Sequence, residues 1–280
     1  MSELLPLYEK TQEKMHVVAF ASGSGTNFRE AVIASRTPES KFSIDLLITD
    51  KERSDGKRIG ALDYADEFHI PYRVFDGYRG CGNWKKARES IEGVSEYKRR
   101  SAEFNHLLHF HVQAFEREQG FVFDLAVLAG YMRLFQGDLL RRFQNKAVNI
   151  HPADLGILTC EGKRKYIGEN AVYDALVAGE TKTRSSVITV DAETDAGAIL
   201  VSGPWLEYTG EQSITQKSAN EHQKKQKEWS DWPALRFALH GIAQEKFALH
   251  TRKFHEDGNP VVIYDGLELE YEGYVMESKG

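Results

Sequence analysis

Cysteine and long apolar runs are both scarce in this chain. Its 280 residues include only two cysteines, Cys81 and Cys160, which are too few for a disulfide framework and lack metal-ligand spacing. No apolar run approaches the roughly 18 residues of a membrane-spanning helix, and charges interrupt the first 15 residues, so neither a membrane segment nor a signal peptide is predicted. The net charge of -6 argues against a general nucleic-acid binder. We expect a cytoplasmic protein, with its oligomeric state left open.

Apolar runs alternate with amphipathic stretches along the first half, which predicts an α/β fold with a mostly parallel sheet. The predicted strands cover residues 16–20, 42–49, 71–75, 124–128 and 147–151, with helices from about 27, at 54–68 and at 137–143. The second half is predicted to hold helices at 169–178 and 231–246, an antiparallel strand pair at 186–190 and 198–208, and a hairpin at 261–264 and 267–271. We expect a loose leader over residues 1–15 and a single domain over 16–280, divided into a glycine-loop half (16–150) and a catalytic-loop half (151–280).

A glycine-rich turn joins the first predicted strand to the first helix. It reads Ser22-Gly23-Ser24-Gly25-Thr26-Asn27, and its backbone amides at a helix amino end suit an anion such as phosphate. Phe28 stands where a dinucleotide-binding loop would carry its third glycine, and no Lys-Ser/Thr pair of a phosphate loop follows. A purely structural glycine turn explains these residues about as well as a phosphate site.

An amide and an imidazole stand two residues apart in an apolar run. On a strand, the side chains of Asn149 and His151 leave the same face while Val148 and Ile150 pack the other way. They would lie at the carboxyl end of the strand, where open α/β sheets usually bind ligands. Asp195 falls on a predicted loop between strands, where it is equally well explained as a turn former.

In this order the motifs resemble those of the folate-dependent formyltransferases, and among them the branch that acts on glycinamide ribonucleotide. The matching segments, spread from Val17 to about Tyr274, are Ser22–Asn27, Val127–Arg133, Asn149–Pro152, Lys165–Gly168, Asp195, Lys225–Glu228 and Trp232-Pro233. The resemblance implies the formyltransferase-type fold: an open, mostly parallel Rossmann-like sheet with helices on both faces and a C-terminal antiparallel extension. It implies formyl transfer from 10-formyltetrahydrofolate to the amine of glycinamide ribonucleotide, with small-molecule partners, no nucleic acid or membrane, and no metal.

The resemblance also assigns residues to three roles. The catalytic residues would be Asn149 as oxyanion donor, protonated His151 as a second support for that charge, and Asp195 as the group that keeps His151 protonated and relays the proton. The phosphate- and ribose-binding residues would be Gly23, Ser24, Gly25, Thr26, Asn27, Lys225 and Glu228. The folate-binding residues would be Leu128, Tyr131, Met132, Arg133, Leu134, Phe135, Val190, Asp191 and Ala192.

Several departures from the family pattern lie near the expected acceptor. Ala153-Asp154-Leu155-Gly156 replaces Ser-Leu-Leu-Pro and is followed by an insertion of about eight residues. On the strand before Asp195, Ile188 occupies a position where family members usually have a histidine. The region 78–119 is longer than the corresponding region of typical members. A 10-formyltetrahydrofolate hydrolase or an amino-sugar formyltransferase would retain the same three catalytic residues. A folate- or nucleotide-binding protein without catalysis is the alternative from another class.

Overall fold

The computed structural model describes residues 3–277, which form two compact units. The amino unit comprises residues 15–38 and 42–147, and the carboxyl unit comprises 3–14, 39–41 and 148–277. The strands are β1 (Leu4–Pro6), β2 (Met15–Ala21), β3 (Phe42–Thr49), β4 (Arg53–Ser54), β5 (Lys57–Arg58), β6 (Tyr72–Val74), β7 (Leu125–Leu128), β8 (Ala147–His151), β9 (Lys182–Thr183), β10 (Ser186–Thr189), β11 (Ile199–Ser202), β12 (Leu206–Glu207), β13 (Phe247–Phe254), β14 (Pro260–Tyr264), β15 (Leu267–Glu268) and β16 (Tyr274–Val275). The α-helices are α1 (Thr26–Ser35), α2 (Gly60–Glu67), α3 (Gly77–Cys81), α4 (Trp84–Ala87), α5 (Ile91–Gln119), α6 (Gly137–Arg142), α7 (Ala171–Val177), α8 (Gln216–Gln226) and α9 (Trp232–Ala243), and a π-helical turn (Lys227–Asp231) joins the last two.

The amino unit is built on parallel strands in the order β7-β2-β3-β6. Strands β2, β3 and β7 are almost entirely buried, as parallel strands are when helices cover both faces of their sheet. Phe20 on β2 is fully buried, and its ring meets Tyr131 and Phe135 edge-on, each at a centroid distance of 5.4 Å. The predicted α/β class with a mostly parallel sheet is confirmed.

The carboxyl unit contains the predicted antiparallel strands and the C-terminal extension. Strand β10 runs antiparallel to both β8 and β11, and its register places Ile188 opposite Asn149 and Ser186 opposite His151. The extension is a second, antiparallel sheet in the order β1-β13-β14-β15. It includes the predicted hairpin around Asp265-Gly266, whereas β13 was not predicted.

Two predicted elements begin or end differently in the structure. The helix expected from residue 54 starts only at Gly60, because β4 and β5 form a hairpin whose turn residues Asp55 and Gly56 have φ of 51° and 75°. Positive φ at both positions is the conformation that Asp-Gly favours in a tight hairpin. The strand expected over 198–208 is interrupted after Ser202, since Pro204 has no N–H to donate to a ladder.

The segment predicted to be a loose leader is ordered, and two further segments without a predicted element are helical. Within the predicted loose leader, β1 pairs with β13, and Leu7 is fully buried with its N–H 3.0 Å from the Phe247 carbonyl oxygen. The polar stretch at 212–227 is largely helix α8, which a capping box between Thr215 and Ser218 starts. The long region at 78–119 is mostly α5, a 29-residue helix capped by Ser90. Within residues 3–277, no helix is both long and apolar enough to cross a membrane.

Removing the Phe20 ring should destabilise the amino unit strongly. Phe20→Ala is expected to lower the free energy of unfolding by about 3–5 kcal/mol, because it deletes a fully buried aromatic side chain. Urea unfolding followed by circular dichroism measures this loss. The matched control is Phe110→Ala on α5, where the ring is 56% exposed and the change should stay within about 0.5 kcal/mol. Equal effects of the two substitutions would contradict the assignment of Phe20 to the core.

Candidate active site

The side chains of Asn149, His151 and Asp195 meet at one carboxylate oxygen. Oδ1 of Asp195 lies 3.4 Å from Nδ2 of Asn149 and 3.3 Å from Nδ1 of His151. The first two residues lie two apart on β8, so their side chains leave the same face of the strand. Asp195 comes from the loop between β10 and β11, 46 residues from Asn149 in the chain. We refer to these three residues, which the sequence predicts to be catalytic, as the catalytic cluster.

Both ring nitrogens of His151 face hydrogen-bond acceptors. Nε2 lies 2.9 Å from the carbonyl oxygen of Tyr166, and Nδ1 faces the Asp195 carboxylate. A carbonyl oxygen and an ionised carboxylate only accept, so the imidazole satisfies both when both its nitrogens carry hydrogen. The His151 side chain is only 5% exposed, which makes these two contacts its main source of polar stabilisation. The two contacts together fix the orientation of the ring.

The Asp195 carboxylate is buried yet held in its ionised form. Burial raises its pKa, but the hydrogen bond and charge of His151, the N–H of Gly168 and the charge of Arg164 lower it further, so the net pKa lies below the ordinary value. The Gly168 N–H donates to Oδ2 at 2.9 Å. Asp195 therefore presents a stable negative charge to the imidazole.

The loop that carries Asp195 is tightly packed. Asp195 has a φ of 53°, in the left-handed region that Asp adopts more readily than most non-glycine residues. A Cβ on Gly197 would lie 1.8 Å from the Thr189 carbonyl oxygen, so only glycine fits there. Thr189 also accepts through Oγ1 from the Ala198 N–H at 2.9 Å.

A buried polar network supports the chain just beyond His151. Gln226, the last residue of α8, donates through Nε2 to the Pro152 carbonyl oxygen at 2.8 Å and to Ser185 Oγ at 3.0 Å. Its Oε1 accepts from the Thr183 hydroxyl, which also lies 2.8 Å from His222 Nε2. Burial lowers the pKa of His222, and the charge of Lys225 lowers it further. The network thus fixes the backbone that follows β8.

The glycine turn lies in the amino unit, where it is shaped by close packing. Gly25 has a φ of 70° and precedes the first residue of α1, and a Cβ there would lie 2.4 Å from the Ala61 Cα. Ser22 accepts through Oγ from the Met132 N–H at 2.9 Å, and the Thr26 hydroxyl oxygen is buried. Ser24 is exposed, and the space beside Gly23 is open. Asn27 is 8% exposed. The turn can therefore offer an anion its backbone at Gly23 and the Ser24 hydroxyl.

The predicted folate-binding residues after β7 divide into packed and accessible side chains. Leu128, Tyr131 and Phe135 are buried, Leu134 is half-buried, and Met132 is 52% exposed. Arg133 forms an ion pair inside the amino unit, since its Nε lies 2.7 Å from Oδ2 of the buried Asp50.

The remaining predicted binding residues lie in the carboxyl unit. Lys225 and Glu228 are exposed, the former on α8 and the latter in the π-helical turn that continues it. Val190 is half-buried after β10, while Asp191 and Ala192 are exposed in the loop that precedes Asp195. Over residues 3–277, no cluster of three or more His, Cys, Asp or Glu side chains has the placement of a metal site.

Sequence reasoning missed the residues that hold the catalytic cluster from outside. Tyr166 and Gly168 lie on a segment that matched the family pattern, so their position was indicated although no role was. The position of Gln226 was indicated in the same way, by the matching segment Lys225–Glu228. Arg164 and Asn259 carried no signal, because each acts through contacts with residues 31 to 63 positions away in the chain.

The chain belongs to the formyl transferase family, whose family model matches residues 15–223. Among curated proteins, phosphoribosylglycinamide formyltransferase of Haemophilus influenzae is 27% identical over 185 residues, covering 66% of this chain and 70% of that protein. The trifunctional purine biosynthetic protein adenosine-3 of Homo sapiens is 29% identical over 190 residues, which cover 68% of this chain. The matching part spans only 15% of that human protein.

Solved structures share the fold over most of the chain. The phosphoribosylglycinamide formyltransferase of Coxiella burnetii aligns with a TM-score of 0.64 at 22% identity, covering 94% of this chain and 100% of the other. A formyltetrahydrofolate deformylase of Pseudomonas putida aligns with a TM-score of 0.57 at 14% identity, covering 90% and 70% of the two chains. At these identities the likeness establishes the formyltransferase fold, and it does not distinguish between transfer and hydrolysis.

Replacing the Asp195 carboxylate should destabilise the protein in a pH-dependent way. A carboxyl with a lowered folded-state pKa stabilises the fold above its unfolded pKa of about 3.9, and this contribution is lost as the pH falls through the lowered value. Asp195→Asn should therefore reduce the free energy of unfolding at pH 7, and the difference from wild type should narrow below about pH 4. Urea unfolding at several pH values measures it.

The control for this series is Asp265→Asn. Asp265 shares the left-handed backbone, with a φ of 51°, but is exposed at a hairpin turn. Its replacement should change the free energy of unfolding by less than about 0.5 kcal/mol. A difference between Asp195→Asn and wild type that stays constant with pH would contradict a stabilising ionised Asp195.

Proposed function

We propose that this chain transfers the formyl group of 10-formyltetrahydrofolate to the amine of glycinamide ribonucleotide, as a step of purine biosynthesis. The proposal rests mainly on the geometry of the catalytic cluster, in which the Asn149 amide and the His151 imidazole both lie within 3.4 Å of one oxygen of the Asp195 carboxylate. The names of the curated relatives support the acceptor. Small-molecule partners and a cytoplasmic location stay predictions.

Asn149 is proposed to stabilise the charge that develops on the formyl oxygen. When an amine attacks the formyl carbon, that oxygen becomes an oxyanion. The Asn149 amide nitrogen carries two hydrogens, of which the contact with Asp195 uses one. The other is suited to donate to the oxyanion.

His151 and Asp195 are proposed to supply charge and to move the proton. With its nitrogens directed at the Tyr166 carbonyl and the Asp195 carboxylate, a protonated His151 stabilises a nearby negative charge through its field. The attacking amine must lose a proton, and the folate nitrogen that leaves must gain one. Asp195 is proposed to relay it, directly or through water.

Several accessible groups of the chain suit the binding of the two proposed substrates, the 10-formyltetrahydrofolate donor and the ribonucleotide acceptor. The open backbone at Gly23 and the exposed Ser24 hydroxyl suit a phosphate at the start of α1. The exposed Met132 and the exposed pair Asp191 and Ala192 are accessible to a ligand. The roles of the other predicted phosphate-, ribose- and folate-binding residues stay predictions.

The acceptor assay tests the reaction. Wild-type protein should transfer formyl from a 10-formyl folate to glycinamide ribonucleotide, and Asn149→Ala should lower kcat by about 10²–10³ through loss of the oxyanion donor. Asn220→Ala, the same change on the exposed face of α8, should leave kcat unchanged. Turnover with water alone would instead identify a hydrolase, turnover with an amino-sugar nucleotide an amino-sugar formyltransferase, and folate binding without turnover a binding protein.

A charge placed at the glycine turn tests the phosphate site separately. Ser24→Asp adds a negative charge where the phosphate is expected, so the KM for glycinamide ribonucleotide should rise at least about tenfold while the KM for the folate stays near the wild-type value. Steady-state kinetics with each substrate varied in turn measures both. Ser24→Asn is the neutral control of similar size and should raise neither KM more than about twofold. An unchanged acceptor KM in Ser24→Asp would exclude phosphate binding at this turn.

A further inference from the structure

Three successive backbone carbonyls on the Asp195 loop each accept a hydrogen bond from a side chain. Arg164 donates through Nη1 to the carbonyl of Asp195 and through Nη2 to that of Gly197, the latter at 2.8 Å. Between them, Asn259 donates through Nδ2 to the carbonyl of Ala196 at 2.8 Å. The loop is thus fixed at three adjacent points by two residues distant in sequence.

Arg164 is itself fixed by residues of the C-terminal extension. Its Nε donates to the Tyr271 hydroxyl at 3.1 Å, and that hydroxyl donates to Asp257 Oδ2 at 2.7 Å. Asp257 also lies 3.8 Å from the guanidinium and accepts from the side-chain amide of Asn259 at 2.7 Å. The Arg164 side chain is only 7% exposed. A buried guanidinium requires such partners, and each of them restricts its orientation.

The Asp195 loop has particular need of this support. Its aspartate adopts a left-handed backbone conformation, which costs most non-glycine residues roughly 1–2 kcal/mol. The four residues before it, 191–194, are exposed and contribute little packing. The carboxylate must nevertheless meet Asn149 and His151 together. Catalytic groups displaced by about 1 Å can lose 10²-fold in rate.

We infer that Arg164 and Asn259 are positioning residues for formyl transfer, which hold the Asp195 backbone so that its carboxylate meets the other two members of the catalytic cluster. This inference rests on the proposed function. It extends the active site to the inserted segment at 154–164 and to the extension beyond residue 223, where the family model ends. Asp257 and Tyr271 act one step further out, by orienting Arg164.

Substitutions of Arg164 separate the effect of its hydrogen-bond geometry from the effect of its positive charge. Arg164→Lys keeps the positive charge but loses the forked donation to two carbonyls, so kcat should fall about 10–100-fold while both KM values stay within about threefold. The charged groups that face Asp195 are His151 and Arg164, with Asp257 behind the latter. Arg164→Gln should lower kcat by a similar factor. It should also shift the acidic limb, the fall of kcat at low pH, to higher pH, because a positive charge that favours ionised Asp195 is lost. Arg164→Lys should leave that limb in place.

Two milder variants keep the inference testable if Arg164 variants fold poorly. Tyr271→Phe removes a single hydroxyl and Asn259→Ala a single donor, and each should lower kcat about 3–10-fold without moving the acidic limb. The control is Arg252→Lys in the same extension, where the guanidinium pairs with Glu3 and is 68% exposed. It should match wild type. Wild-type kcat in Arg164→Lys, Tyr271→Phe and Asn259→Ala would overturn the inference.

A readout without turnover distinguishes failure of this inference from failure of the proposed function. The ¹⁵N resonances of the His151 imidazole report its contact with Asp195 whether or not a substrate reacts. They should shift in Arg164→Gln and stay at wild-type positions in Arg252→Lys. Unshifted resonances in Arg164→Gln would overturn the positioning role. Wild-type protein that turns over no acceptor, with shifted resonances in Arg164→Gln, would overturn only the proposed function.

Discussion

The contact of one buried carboxylate with two neighbouring side chains is the interaction on which this site depends. Asp195 reaches both Asn149 and His151 through the same oxygen, while its other oxygen accepts from the Gly168 N–H. Burying a carboxylate is unfavourable unless its oxygens are satisfied and a positive charge lies near. Each group that meets this requirement also fixes a part of the site. The groups that stabilise this buried carboxylate are therefore the same groups that form the proposed catalytic site.

Further buried polar groups of the carboxyl unit also need hydrogen-bond partners. The other ring nitrogen of His151 contacts the Tyr166 carbonyl, which ties the segment after the insertion to β8. The Asp195 loop is tied to Arg164 and Asn259, and these to Asp257 and Tyr271. Residues of the C-terminal extension thus support the Asp195 loop. These contacts explain in physical terms how the loop holds Asp195 in a left-handed backbone conformation.

Much of the fold was predictable from local pattern alone. The central strands β2, β3, β7 and β8 are short apolar runs bounded by turn residues, and such runs fold as buried strands wherever a sheet is available. The failures have equally local causes. Residues 53–58 contain both helix formers and an Asp-Gly pair, and the pair's preference for a tight hairpin prevailed. Strand β13 was missed because charged residues follow its apolar start, and its pairing with β1 and β14 stabilises it.

Local sequence pattern was enough to identify the chemical groups of the candidate site: an amide and an imidazole two residues apart on a strand, a glycine turn before a helix, and an aspartate after a later strand. Strand periodicity and turn chemistry act over a few residues, so these features can be read without knowing the fold. The supporting contacts of Arg164, Gln226 and Asn259, and the ion pair of Arg133 with Asp50, became visible in the folded chain. Hydrogen bonds between residues tens of positions apart leave no periodic trace in a sequence, because any polar side chain can form them once the fold brings a partner within reach.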